Sequence, residues 1–439
     1  MIRTIRHNER DVLDEFLKSL EARAVAFDPE LMSAVATIID DVRARGDEAL
    51  IDYTARFDGI QIAASDLRVD EQTLKSSADK VDPRVLAALR EAIRNVRTFH
   101  ESQREQSWEI TPADGVRLGQ RITPLDRVGL YVPGGTAAYP SSVVMNVVPA
   151  QVAGVERIVV ATPPRTLAES PAVAAALREL NVTEIYAVGG AHAIAALAFG
   201  TQTIPRVDKI TGPGNKYVAA AKKLVFGVAG IDAIAGPSEV VVTADDTARA
   251  DFVAADLLAQ AEHGEDASAI LITTSESLAA AVAHEVQRQL ESLPRRAIAT
   301  ASLKDYGAIV VVNTLDDACE IANWIAPEHL QIVTSDDETA AAKIRHAGAI
   351  FFGEHTPEAV GDYLAGPNHV LPTGRTARFS SALGVYDFVK RTSLLRYSSE
   401  AFSKVSESIA VLAECEGLGA HARSASIREP RINQSRNER

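Results

Sequence analysis

The sequence predicts an α/β protein with two Rossmann-like parallel-sheet domains and small helical segments at its N- and C-termini. One observation is that short β-branched runs alternate with alanine-rich stretches from about residue 127 to residue 353, a pattern typical of parallel strands joined by helices. Another is size, because 439 residues, 46% of them hydrophobic, exceed one ordinary core. No GxGxxG motif follows a predicted strand, so the usual dinucleotide-binding fingerprint is absent.

The first hundred residues are predicted to be mostly helical. A short amphipathic helix spans 9–21, and a longer one has apolar residues at helical spacing between Leu31 and Tyr53. The Asp-Pro pair at 82–83 is typical of the start of a third helix. The chain is predicted to be helical again from about residue 399 to a polar end that frays.

Eight short runs are predicted to form the strands of the two sheets. They lie at 127–132, 157–162, 184–190, 239–245, 268–274, 308–313, 329–335 and 348–353. Glycine and proline cluster in turns at 132–135, 211–215, 235–239 and 365–374. We expect the functional site near these turns, because ligands of open α/β sheets bind at the ends of strands.

Composition and charge exclude several classes of protein. The formal net charge of −14 argues against nucleic acid as the main partner and suits a cationic small substrate better. Cys319 and Cys415 are the two cysteines, too few for a disulfide framework or a thiolate zinc cluster, which fits a reducing cytoplasm. The N-terminus is charged and no run approaches the ~18 apolar residues of a membrane span, so we expect neither export nor a membrane anchor.

The segment AQAEHG at 259–264 is a candidate metal-binding arm. It places Gln260 and His263 three residues apart on a predicted helix, so both side chains can point at one spot. Asp362, near a helix start, and His369, in the loop after it, would complete a nitrogen and oxygen site for zinc or manganese. The alternatives are a solvated helix face for the first pair and a helix cap for Asp362.

Glu328 and His329 are candidate acid–base residues. They stand side by side in APEHL, directly before an apolar strand. Proton transfer near neutral pH favours histidine, and water activation favours a carboxylate. Adjacent residues of an extended segment point to opposite sides, so the two would serve one site only from a turn. The alternative is a surface glutamate beside a structural histidine.

Three further residues lie in glycine-rich segments. Glu416 and His421 are five apart, so the glycines between them must bend or end the helix if both reach one ligand. Ser238 has no adjacent base and no GxSxG elbow, which favours a polar substrate contact over a nucleophile. The glycine turns could hold phosphate or ribose through backbone N–H groups, or only make tight turns.

Taken in order along the chain, these segments resemble the histidinol dehydrogenase family. The motifs are VGLYVPGG, VGGAHAIAALAFGT, KITGPGNKYV, AGPSEV, LLAQAEHG, APEHL, PEAVGDYLAGPNHVLPT, SSALGVYDFVKRTS and EGLGAHARS. They cover nearly the whole chain. The resemblance implies a zinc-dependent, NAD-linked oxidation of L-histidinol through an aldehyde to L-histidine, with two NAD molecules used, in the last steps of histidine biosynthesis.

The resemblance also implies roles for individual residues. Zinc would be bound by Gln260, His263 and Asp362 of one subunit and by His421 of the other, in an intertwined homodimer that exchanges its C-terminal segment. Zinc would orient the amino-imidazole end of the substrate rather than generate hydroxide. Proton transfers would fall to His329 and water activation to Glu328. The implied substrate contacts are Ser238, Gln260, His263, His329, Asp362, His369, Glu416 and His421.

Cofactor contacts implied by the resemblance fall on Tyr131, His192 and Asn215. His192 departs from the family pattern, because the family usually has VGGAQAIAAL and this chain has VGGAHAIAAL. A neutral histidine donates one hydrogen bond where glutamine donates two. We therefore expect a weakened, pH-dependent contact and a modestly altered affinity for NAD.

Four segments make up the expected domain organisation. Residues 1–27 form an N-terminal helical segment, and residues 28–130 with 239–379 form the α/β domain that carries the metal and catalytic residues. Residues 131–238 form the second Rossmann-like domain on the cofactor side, and residues 380–439 form the exchanged C-terminal helical segment.

Three rival functions predict different properties. A paralogue acting on another polar alcohol, such as a sulfonated diol, would bind an anion and favour Arg or Lys where Glu416 stands. A zinc hydrolase, with Glu328 as the base for a metal-bound water, would turn over without NAD. A catalytically inactive binding protein would have lost His329 or a metal ligand, and none is lost.

Overall fold

The computed structural model describes residues 2–23, 27–134 and 139–428. The strands are β1 (Arg3–Arg6), β2 (Trp108–Ala113), β3 (Val116–Pro124), β4 (Arg127–Tyr131), β5 (Arg157–Thr162), β6 (Glu184–Ala187), β7 (Lys209–Thr211), β8 (Gly230–Ile231), β9 (Glu239–Ala244), β10 (Ser268–Thr273), β11 (Ala308–Val311), β12 (His329–Val333), β13 (Ala349–Phe352) and β14 (Val389–Tyr397).

The α-helices are α1 (Arg10–Arg23), α2 (Pro29–Arg45), α3 (Asp47–Phe57), α4 (Glu71–Ala78), α5 (Pro83–Glu101), α6 (Pro140–Ala153), α7 (Pro164–Glu169), α8 (Pro171–Glu179), α9 (Gly190–Phe199), α10 (Lys216–Val225), α11 (Ala250–Ala261), α12 (Glu276–Leu290), α13 (Arg296–Asp305), α14 (Leu315–Ile325), α15 (Asp337–Ala341), α16 (Glu358–Tyr363), α17 (Ser399–Ser403), α18 (Ser406–Cys415) and α19 (Gly419–Ser426). Across the described ranges, no helix combines the length and apolar character needed to cross a bilayer.

The chain divides into a larger unit, residues 1–104 with 125–388, and a smaller unit, residues 105–124 with 389–439. The larger unit contains a six-stranded parallel sheet in the order β1-β11-β10-β9-β12-β13. Every residue of β9 and β10 is buried. Apolar side chains of α11, α12 and α13 pack on one face, and those of α1 and α14 on the other. These strands are uniformly apolar because helices cover both faces of the sheet.

The second sheet of the larger unit is a five-stranded parallel sheet in the order β6-β5-β4-β7-β8. Helices α2, α3, α9 and α10 share one hydrophobic cluster with it, and α4, α5, α6 and α8 share the other. Two parallel sheets covered by helices confirm the predicted fold class.

The packing of two segments differs from the predicted grouping. Helices α2 and α3 pack with the five-stranded sheet, whereas the sequence predicts that residues 28–130 belong to the metal-carrying domain. The spacing of apolar residues shows which face of a helix is buried but not which sheet buries it. Residues 1–27 also include β1, which pairs with β11; only Ile5 of this strand is buried, too weak a pattern to predict it.

The smaller unit contains a three-stranded antiparallel sheet in the order β14-β3-β2, followed by α17, α18 and α19. Arg391 of β14 forms an ion pair with Glu105, and the Ser398 N–H donates to the Gly115 carbonyl over 2.7 Å. The segment 380–439 was predicted to be helical, but β14 is a strand. None of its nine residues is buried, so it lacks the apolar alternation that identifies a strand.

Candidate active site

The candidate catalytic residues lie at the start of β12, an interior strand of the six-stranded sheet. Helix α14 ends at Ala326, whose positive φ of 50° turns the chain into β12. Glu328 precedes this strand and His329 begins it, and both side chains are buried. His329 Nδ1 lies 3.7 Å from Glu328 Oε2. The turn therefore brings both side chains to one place, which a continuous strand would not do.

The main chain of Glu239, the first residue of the neighbouring β9, contacts both side chains. Its N–H donates to Glu328 Oε2 over 3.0 Å. Its carbonyl oxygen lies 3.2 Å from His329 Nδ1. A carbonyl can only accept, so this contact requires the hydrogen on Nδ1 and, in a neutral ring, leaves Nε2 free to take a proton.

Carboxylates surround the His329 ring. Nε2 lies 3.5 Å from Asp362 Oδ1, without hydrogen-bond geometry, and Nδ1 lies 3.8 Å from Glu358 Oε1. Burial lowers the pKa of the imidazole, but the three neighbouring carboxylates outweigh it and raise the pKa to about 10. Burial raises the pKa of the Glu328 carboxyl to about 8, against the effect of the adjacent imidazole. The site is therefore rich in carboxyl groups, which favour the charged form of His329.

A group of potential metal ligands lies beside this pair. One ligand atom each of His263, Glu358 and Asp362 lie within 4.8 Å of one another. Gln260 is fully buried on the last turn of α11, and its amide nitrogen, in the orientation that satisfies both groups, donates to the two oxygens of Glu358 over 2.7 and 2.8 Å. The set of imidazole, carboxylate and amide oxygen suits zinc.

Glu358 was not predicted from the sequence. It precedes Asp362 by four residues on α16, so the two carboxylates share one face of this helix. The same spacing rule that selected Gln260 and His263 would have selected this pair. The segment PEAVGD therefore contains a signal for both carboxylates, although only Asp362 was predicted.

His369, a predicted substrate contact, lies close to this group. The pKa of His369 is lowered by burial, and Asp362, His329 and His263 are near enough to influence it. Among the described residues its Nε2 has no hydrogen-bond partner. Ser238 immediately precedes β9, and its carbonyl accepts from the Ser268 N–H over 3.0 Å.

Glu416 and His421 belong to the smaller unit. Glu416 caps the C-terminal end of α18 and His421 lies on α19, and both side chains are exposed. Gly417, with a φ of 73°, separates the two helices, as the predicted shared ligand requires. Their roles remain predictions.

A cavity of about 1130 Å³ lies at the carboxyl ends of strands of the five-stranded sheet. All three predicted cofactor residues, Tyr131, His192 and Asn215, line it. The Tyr131 hydroxyl accepts from the Gly190 N–H over 3.0 Å, and burial raises the pKa of this phenol to about 12. The Asn215 side chain caps α10 by accepting from the N–H groups of its first turn. Of the turn at 132–135 beside this cavity, residue 135 lies outside the described residues.

His192 is buried in the wall of this cavity. Its ring centre lies 5.7 Å from that of Tyr53 and 6.1 Å from that of Phe57. Neither ring nitrogen has a hydrogen-bond partner in the described part of the chain. Burial lowers its pKa from 6.5 to about 3. Near neutral pH the imidazole therefore stays uncharged, and the expected pH-dependent contact with NAD stays a prediction.

Comparisons with known proteins identify the family of this chain. The family described as "Histidinol dehydrogenase" matches residues 21–429. A histidinol dehydrogenase of Geobacillus kaustophilus is 57% identical over 91% of this chain and 94% of its own length, and one of Bacillus subtilis is 54% identical over 94% and 97%. The crystal structure of histidinol dehydrogenase from Elizabethkingia anophelis is similar with a TM-score of 0.90 and 36% identity, over 97% of this chain and 98% of that one. The resemblance is thereby confirmed, and the chain belongs to the histidinol dehydrogenase family of oxidoreductases.

Proposed function

We propose that this chain is a zinc-dependent histidinol dehydrogenase that uses NAD to oxidise L-histidinol, through L-histidinaldehyde, to L-histidine. It would catalyse the final steps of histidine biosynthesis. The observation that carries the proposal is the contact between Glu328 and His329 beside the ligand group of His263, Glu358 and Asp362. One site thus contains a base for the alcohol, a base for water and donors for a metal ion.

Gln260, His263 and Asp362 would hold the zinc ion, together with the partner subunit's His421. The Gln260 amide nitrogen donates to Glu358. This contact leaves the Gln260 carbonyl oxygen, the atom that binds metals, available for zinc, which supports the proposed ligand set. When bound, zinc would hold and orient the amino-imidazole end of the substrate. A cation beside Asp362 would also offset the negative charge that keeps His329 protonated.

His329 would take the proton of the alcohol and later that of the hydrated aldehyde. The Glu239 carbonyl fixes its Nδ1–H, so Nε2 is the accepting atom. NAD, when bound, would accept a hydride in each oxidation. Glu328 would remove a proton from the water that hydrates the aldehyde, and a raised pKa makes its carboxylate a stronger base for this step.

NAD would occupy the cavity lined by Tyr131, His192 and Asn215. The N-terminal ends of α9 and α10 lie at its wall, at Gly190 and Asn215, where main-chain N–H groups can bind the pyrophosphate. The aromatic rings of Tyr53 and Phe57 offer flat surfaces for a heterocycle. Ser238 and His369 would contact the substrate.

The charge of the site favours histidinol over the rival substrates. Glu328, Glu358 and Asp362 surround the proposed substrate position, and carboxylates favour a cationic amine over a sulfonate. Glu416 of the partner subunit would meet the amino group. A zinc hydrolase needs no organic cofactor, so the presence of a cofactor-sized cavity argues against that alternative.

The enzyme would act as a homodimer whose subunits exchange their C-terminal segments. Leu395, Leu412 and Ile427 of the smaller unit have exposed fractions of 72%, 66% and 68%. Large apolar side chains at such exposure are typical of a surface covered by another protein chain. A second copy of this chain would cover them and would receive His421. The proposed location is the cytoplasm, a reducing compartment in which structural disulfides are rare.

The test is NADH formation with L-histidinol before chelation, after chelation and after zinc is restored. We expect activity to fall on chelation and to return with zinc, because metal removal takes away the group that orients the substrate. NADH formation from a sulfonated diol but not from histidinol would support the paralogue. Turnover of an amide or ester without NAD would support the hydrolase.

A further inference from the structure

One buried ion pair of the six-stranded sheet domain lies directly behind the proposed catalytic residues. Arg23, the last residue of α1, places Nη2 2.6 Å from Glu239 Oε1. The side chains are only 3% and 5% exposed. The other carboxylate oxygen of Glu239 accepts from the Gly374 N–H over 3.3 Å. The carboxylate is therefore held from two sides, by a helix end and by a loop.

The Arg23 guanidinium is itself held by several groups. It contacts Ser268 Oγ at 3.3 Å, the Ser238 carbonyl at 3.5 Å and the Asp266 carbonyl. It also lies over the Tyr306 ring, 5.4 Å from its centre. A planar guanidinium can donate in several directions at once, which a lysine cannot do. Arg23 thus ties α1 to the starts of β9 and β10.

The main chain of Glu239 is the contact shared by the two proposed catalytic side chains. Its N–H holds Glu328 and its carbonyl holds His329. Any rotation of this peptide segment would change both contacts together. The side chain of the same residue is the part that Arg23 fixes. Arg23 therefore fixes the positions of both bases, Glu328 and His329, through the single residue Glu239.

We propose that Arg23 and Glu239 are positioning residues for the catalytic pair. The inference rests on the proposed function and adds two residues to it. A buried ion pair stabilises a fold less than apolar side chains of similar volume do, so stability alone does not explain this pair. A catalytic pair must be held in position to a fraction of an ångström, and the contacts of Arg23 and Glu239 serve that need. The pair acts through geometry and touches neither substrate nor cofactor.

The test compares the double variant Arg23→Met/Glu239→Gln with wild type. Because neither charge remains, no buried charge is left unpaired, and we expect a melting temperature close to that of wild type. We expect kcat with L-histidinol to fall by about tenfold or more, because proton transfer slows steeply when the base is displaced from its productive position. The KM values for L-histidinol and NAD should change less than about threefold, since neither substituted side chain belongs to the proposed substrate or cofactor contacts.

The matched control is Lys209→Met/Asp387→Asn. It removes an ion pair of 2.8 Å, with side chains 15% and 21% exposed, at the start of β7 in the five-stranded sheet. This control should keep the wild-type kcat. Equal losses of kcat in the two double variants would overturn the proposal, because they would indicate a general effect of losing an ion pair.

A conservative variant keeps the test decisive if the double variant does not fold. Arg23→Lys retains the charge but cannot reach Glu239, Ser268 and the carbonyls together, so kcat should fall while KM is unchanged. Wild-type kcat in Arg23→Lys, or in the folded double variant, would overturn the inference. Failure of the wild type to oxidise L-histidinol would instead refute the proposed function, so the two failures are distinguishable.

Discussion

Replacing His192 with glutamine should change how the stability of the protein depends on pH. The imidazole is buried in the cavity wall without a hydrogen-bond partner in the described structure, and burial lowers its pKa from 6.5 to about 3. Because folding depresses this pKa, the unfolded chain binds the proton more tightly. The folded state therefore keeps its full stability above pH 6.5, and it loses stability as pH falls toward 3 because the unfolded chain takes up the proton.

The magnitude follows from the two pKa values. At pH 5 the unfolded imidazole gains about 2 kcal/mol from protonation and the folded one gains almost nothing, and at pH 4 the difference is about 3 kcal/mol. The wild type should therefore lose about 2 kcal/mol more than His192→Gln between pH 8 and pH 5. Other titrating groups, including the buried His100, are common to both proteins and cancel in this comparison.

The assay is urea unfolding of both proteins at equal concentration between pH 8 and pH 4. Parallel pH profiles would refute the reasoning, because they would show that His192 is not buried as a neutral ring.

The same pair of proteins tests the cofactor site. Any difference between their KM values for NAD should be constant from pH 6 to pH 9, where His192 does not titrate.

Three further substitutions test separate parts of the site. Glu328→Gln should slow oxidation of L-histidinaldehyde by about 10²- to 10⁴-fold, the usual contribution of a general base, while the exposed Glu320→Gln should match wild type in stopped-flow NADH absorbance. His263→Ala should lower the zinc retained after dialysis by about tenfold or more, and undiminished zinc in atomic emission would remove this residue from the ligand set. Tyr131→Phe removes the acceptor of the Gly190 N–H, so the free energy of unfolding should fall by about 1 kcal/mol and KM for NAD should rise; no change in either would contradict the proposed cofactor contact.

The sequence predicted the central strands well because they are buried on both faces. The predicted runs 239–245 and 268–274 correspond to β9 and β10, in which every residue is buried and apolar side chains dominate. Local composition suffices for such strands. In contrast, β14 has no buried residue and β1 has one, so neither contains the pattern that identifies a strand.

Contacts between residues far apart in the chain could not be predicted from the local sequence pattern. The chemical character of Glu328 and His329 was visible in APEHL, but their shared contact with Glu239 depends on β9 and β12 being neighbours in the sheet. The Arg23–Glu239 pair joins residues more than two hundred positions apart. Glu358 is a different case, because its spacing from Asp362 was available in the sequence.

The yield of NADH from a limiting amount of L-histidinol, with NAD in excess, tests the central claim most directly. If one site oxidises the alcohol and then the hydrated aldehyde, about two NADH form per histidinol and L-histidine accumulates, as expected for a four-electron oxidation by a two-electron acceptor. One NADH per histidinol with the aldehyde as the product, or no NADH at all, would contradict it.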